Sequence, residues 1–275
     1  METMKKSVEK QNFFLYFTIP IVFLMLLCSG TGLLQPGFYS RETPDWIAQC
    51  MGQDISNVFA VVPILLISAI FSAKGSRAFK IIWAGTMITN IYSFMLYCFA
   101  VHFNGLFHFY CIILGLSVYA MIYFSAKYYG SDFGAWYKSE SFGKATGIFL
   151  LVTAGLFYFL WLSQSLPAAL SGGVPEAVAA DALLTNPVHV LDYSFYLPLI
   201  VISGVMLLRR KRAGYFLAPM MLVFELLTDV NIISLSIVTM VRLGTDALAL
   251  ICGFTAFAVI TLCILIRFLK RIKTE

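Results

Sequence analysis

Short polar stretches divide the chain into uninterrupted apolar runs of about 20 residues, and few folds accommodate that pattern. A helix of this length crosses the hydrocarbon core of a bilayer. Lipid offers no partner for backbone N–H and C=O groups, so only helices and closed barrels span it, and the alternating segments of a barrel are absent. Eight runs can be read, at about 13–34, 55–72, 81–101, 106–125, 147–166, 194–208, 215–241 and 247–268. The sixth is the shortest and is expected to extend outward through Leu191. With 60% hydrophobic and 12% charged residues, the 275-residue chain is not a water-soluble globular enzyme. The expectation is an all-α, polytopic transmembrane helix bundle. The longest other stretches, 35–54, 126–146 and 167–193, are too short for a second domain. Residues 1–275 are therefore read as a single integral membrane domain.

Charge placement tests the count, because Lys and Arg collect in cytoplasmic loops beside span ends. With a cytoplasmic N-terminus, the inner segments hold Lys5, Lys6, Lys10, Lys74, Arg77, Lys80, Lys127, Lys138 and Lys144. Arg209, Arg210, Lys211, Arg212, Arg267, Lys270, Arg271 and Lys273 join them. Only Arg41 and Arg242 remain outside, beside Glu42, Asp45, Asp54, Glu176, Asp181, Asp192 and Asp246. One span more or fewer would invert every later loop, so eight spans with both termini cytoplasmic are expected. The net charge of +5 comes from small clusters at helix ends, which need the lipid bilayer as partner and no nucleic acid. The first run is too long for a cleavable secretory core and reads as an uncleaved anchor. Six cysteines include no C-x-x-C pair, and no internal repeat is legible.

Polar residues inside lipid are costly unless paired or wet, so they point to function. Glu225 and Asp229 stand one turn apart in the seventh run, Glu225 about 15 Å from its start and near the midplane. Thr228, Ser236 and Thr239 share their face. In the third run, Thr86, Asn90, Ser93 and Tyr97 form a second stripe, with Asn90 at similar depth. The two stripes are expected to face each other across a polar interior. Neighbouring carboxylates repel when both ionise, so the pair suits a proton or a cation, or else hydrogen-bonds to a neighbouring helix as structural glue.

A second candidate group lies on the outer side. Asp54 begins the second run, His102 and Asn104 occupy the turn after the third, and His108 opens the fourth. Asn186, His189 and Asp192 lead into the sixth. Histidines and carboxylates converging from separate loops are suited to a divalent metal or acid–base work. No recognised ligand spacing is present, and the alternative is that His189 and Asp192 cap and orient the sixth helix. Prolines 63 and 198 are placed to kink their helices.

The segments Gly52-Gln53-Asp54 with Pro63, Val101-His102-Phe103-Asn104, and Asn186 through Asp192 with Leu197-Pro198 resemble a family of uncharacterised multi-pass bacterial membrane proteins. Arg209 to Arg212 and Gly214-Tyr215 through Pro219 fit the same pattern, so the resemblance runs from the second span to the seventh. It implies a bacterial cytoplasmic (inner) membrane location and no particular activity, and it does not extend to Glu225 and Asp229. The leading functional expectation is small-molecule or ion binding and transport. The alternatives are a membrane-embedded metal-dependent enzyme with an outward His/Asp site, and a non-enzymatic sensor or accessory protein. The sequence designates no cofactor and no protein partner.

Overall fold

The computed structural model describes residues 12–139 and 143–273. Among them, eight helices are long and apolar enough to cross a membrane. They are α1 (Phe13–Leu34), α2 (Pro44–Ala73), α3 (Arg77–Ala100), α4 (Phe107–Lys127), α5 (Lys144–Ser171), α6 (Pro187–Leu208), α7 (Gly214–Leu243) and α8 (Leu248–Leu269). The fold is an all-α polytopic bundle without strands among the described residues. Apart from Arg41 and Arg242, the described basic residues lie in or beside the loops after α2, α4 and α6 and at the end of α8, so this end of the bundle is the basic end. The loops after α1, α3, α5 and α7 form the acidic end. Lys5, Lys6 and Lys10 lie outside the described residues.

Two helices begin earlier than hydropathy predicts, because capping chemistry starts them. Thr43 Oγ1 accepts from the Trp46 N–H and Pro44 takes the first position, so α2 starts well before residue 55. Asp54 therefore lies within the helix and not at its start. Asn186 Oδ1 accepts from the His189 N–H and Pro187 follows it, so α6 starts at Pro187. His189 is thus inside α6, and Asp192 lies beyond its first turn.

The structure around residues 57–78 recurs around 192–213, at an offset of 135 residues. Both α2 and α6 contain a π-helical turn, Asn57–Val61 and Asp192–Tyr196, two residues before Pro63 and Pro198. Such a turn frees backbone groups and bends the helix. Pro63, Ile67, Ser68, Arg77 and Ala78 recur as Pro198, Ile202, Ser203, Arg212 and Ala213. Ser68 and Ser203 are both fully buried and return their hydroxyls to the backbone of their own helices. After each helix the chain turns through positive φ, at Gly75 and Arg210. The Ser76 N–H donates to Phe71 O, and the Lys211 N–H donates to Met206 O.

The two halves, α1–α4 and α5–α8, meet through α3 and α7. Gly85 and Met220, themselves 135 residues apart, sit at that crossing, where a Cβ on Gly85 would lie 2.6 Å from Met220 O. The partner contacts cross over: α2 packs on α7, and the start of α6 packs on α3. An even number of spans per half keeps both halves in the same direction across the membrane, as in parallel repeats. The first half is filled, with α4 against both α1 and α3. Trp83 donates to Thr18 at 2.9 Å there, and Asn90 to Ser117 at 2.7 Å. In the second half α8 packs on α7 and meets α5 through the ring pairs Phe149–Phe257 and Phe157–Phe254.

Candidate functional site

The outer candidates are each engaged by a different neighbour. Asp54 is buried, and its two oxygens accept from Tyr39 and Tyr97, both at 2.7 Å. Burial and the adjoining Asp54 push the Tyr39 phenol above its ordinary range, which keeps it a donor. His102 is exposed and pairs through Nδ1 with Glu42 at 2.9 Å. Asn104 closes its own turn, accepting from the Leu106 N–H and donating to His102 O. His108 is exposed beside Phe107. Asn186 caps α6, as described above. His189 is buried against Trp161, with ring centroids 4.7 Å apart. Asp192 accepts from Trp161 Nε1 at 2.7 Å. Among the described residues no group of three His, Cys, Asp or Glu side chains is arranged to hold a metal.

The seventh-span acids stand in a different setting. A cavity of about 570 Å³ lies between α5, α6, α7 and α8, with α2 and α3 forming one side. Asp45 and Gln49 lie at its acidic end, and Thr153, Ile200 and Phe257 line it deeper in. The α7 stripe faces into it: Glu225, Thr228, Asp229, Ser236 and Thr239 all line the wall. Glu225 is 5% exposed, and among the described residues neither carboxylate oxygen has a hydrogen-bond partner. Asp229 Oδ2, Thr228 Oγ1 and, across the cavity, Thr153 Oγ1 are also buried without partners. Buried polar atoms are almost always satisfied, and these four residues give a guest or water in the cavity polar groups to meet.

Asn90 does not share this cavity. Its amide points to Ser117 on α4, and α3 presents Tyr92 and Leu96 instead. The α3 polar stripe thus faces the first half, with Tyr97 on Asp54. A hydrogen-bonded chain nevertheless links the cavity wall to Asp54. Gln53, a lining residue, donates to Asn57 Oδ1 at 3.0 Å; Asn57 reaches Ser29 at 3.2 Å and Tyr97 at 3.5 Å. Ser56 donates to Asn231, another lining residue.

The aromatic wall is the part that a search for polar stripes misses. Tyr92, Tyr196 and Phe224 form a mutual cluster, with Tyr196 stacked on Phe224 at 4.8 Å and edge-on to Tyr92 at 4.7 Å. Tyr92 is more than half a helical turn from Asn90, on the opposite face of α3. The one local signal is Asp192 with Tyr196 four residues later, just before Pro198. No protein-family profile, curated protein or solved structure matches the chain.

Proposed function

We propose that the protein binds a small solute in the cavity of its second half and moves it across the membrane, with Glu225 and Asp229 as the polar contacts. The observation that carries this reading is the 570 Å³ cavity whose wall holds the unpartnered Glu225. Its size falls within the range of small-molecule sites. Repeated halves that meet at a central crossing supply two bodies able to rock against each other, and the π-turns ahead of Pro63 and Pro198 supply bends on both. The chain is placed with its basic end in the cytoplasm, supported by the confinement of all described Lys and Arg except Arg41 and Arg242 to that end. The resemblance in the loop motifs supports a bacterial cytoplasmic membrane.

The test is site-directed labelling of Thr228→Cys in a background with the six native cysteines replaced by serine. In proteoliposomes, a water-soluble thiosulfonate reagent is expected to label this position from the acidic end. Labelling that also proceeds from the basic end would mark turnover of the cavity between the two faces. A position 228 that resists the reagent from both faces would overturn the reading, because solute has no aqueous route to the cavity.

A further inference from the structure

We propose that the solute is an amphipathic organic cation, its charge at Glu225 and Asp229 and its apolar body against Tyr92, Tyr196 and Phe224. This rests on the solute-binding reading and adds the chemical class.

Charge is the first argument. Among the described residues, the cavity lining contains Asp45, Asp192, Glu225 and Asp229 and not one Lys, Arg or His. Asp192 is occupied by Trp161, whereas both oxygens of the deeply buried Glu225 are unclaimed. Asp181, bonded to Thr43 one residue before α2, adds a further acid close to Asp45. The acidic groups run from the mouth inward, a field that draws cations and repels anions.

Wall chemistry is the second. A small metal cation needs about six oxygen ligands close together, and among the described residues no three acidic, His or Cys side chains are grouped to hold one. An organic cation has what this wall offers to receive: apolar area to bury, and a diffuse charge that benefits from ring faces as well as carboxylates.

The repeat provides the third, as an internal control. At an offset of 135 residues Asn90 in α3 corresponds to Glu225 in α7, and there a neutral amide stands in a filled interior, its nitrogen bonded to Ser117 and its Oδ1 without a partner among the described residues. Helix packing at this depth therefore does not require a charge. The carboxylate occurs in the half that is open and lacks a partner there.

Binding of three probes of similar shape to the purified full-length protein in nanodiscs decides the matter: tetraphenylphosphonium, neutral triphenylphosphine oxide and anionic tetraphenylborate. The cation is expected to bind saturably and at least tenfold more tightly than the neutral probe, with the anion excluded. Glu225→Gln, checked for an unchanged elution profile, is expected to weaken cation binding tenfold or more, and Asp229→Asn to weaken it further. Neutral or anionic probes that bind as tightly as the cation overturn the cation class. If Ser236→Trp, which fills the cavity, then abolishes their binding, the solute-binding reading survives. If none of the three probes saturates, the organic-cation proposal falls; an unlabelled Thr228→Cys would take the broader reading with it. The probe series on the unaltered protein stands alone should Glu225→Gln fail to fold.

Discussion

Asn90 and Glu225 stand 135 residues apart in the two crossing helices α3 and α7, and among the described residues Asn90 makes a side-chain hydrogen bond where Glu225 makes none. Its side chain donates to Ser117 at 2.7 Å, while neither oxygen of Glu225 is bonded. Removing a buried bonded group costs about 1–3 kcal/mol, whereas exchanging an unpartnered carboxyl for an amide of the same shape removes no bond. Asn90→Ala is therefore expected to lower the thermal midpoint in detergent clearly, and Glu225→Gln to leave it nearly unchanged. A Glu225→Gln loss as large as that of Asn90→Ala would assign Glu225 to structural glue.

The central crossing gives a second expectation. A Cβ on Gly85 would meet Val223 Cβ at 2.5 Å and Met220 O at 2.6 Å. One of those neighbours is backbone and cannot swing away, so the helices must separate. Gly85→Val is expected to destabilise the protein by about 1–3 kcal/mol, as overpacking does. Because α3 and α7 join the halves, it is also expected to loosen them together, seen as faster limited proteolysis of both halves. The same substitution at Gly115, where a Cβ meets nothing within 4 Å, is the control.

The fold was largely legible because spanning a membrane demands long apolar runs, and charge placement fixed their number. The starts of α2 and α6 were not, since Thr43-Pro44 and Asn186-Pro187 begin their helices by capping, which hydropathy does not register. The repeat was hidden for a related reason. Lipid-facing and core positions accept almost any apolar residue, so Ile64 and Leu199 or Val62 and Leu197 interchange freely, and what recurs is backbone geometry around Pro63 and Pro198. Of the candidate site, Glu225 and Asp229 were visible by their rarity in such a helix. Tyr92, Trp161 and Phe224 were not, because aromatic residues are common in this chain and only packing distinguishes a cavity wall from a core.

Asp54 provides a prediction that separates structure from solute handling. It accepts from Tyr39 and Tyr97 and is absent from the cavity wall. Asp54→Ala leaves two buried phenols without an acceptor, each costing about 1–3 kcal/mol. Asp54→Asn retains one acceptor oxygen and is expected to cost about half as much. Both variants, assayed below their melting temperatures, should bind tetraphenylphosphonium as the unaltered protein does. A tenfold loss in Asp54→Asn would instead make Asp54 part of the binding machinery.

Asp181 gives the pH dependence. Its carboxyl lies in the α5–α6 loop, accepts from Thr43 at 3.0 Å, and is raised above its ordinary value by burial, with Asp45 adding to the shift and the Thr43 bond opposing it. A carboxyl whose folded value is raised binds its proton more tightly in the folded state. Its contribution to stability is therefore full at pH below the ordinary carboxylate value and is lost as pH rises through the folded one. Asp181→Asn keeps an acceptor for Thr43 and carries no charge at any pH. The variant is expected to melt slightly higher than the unaltered protein at pH 7, with the difference shrinking as pH falls toward 4. The half-exposed setting keeps the effect small. A difference that grew on acidification would mean that the ionised form is the one the fold favours, and that Thr43 outweighs burial and Asp45.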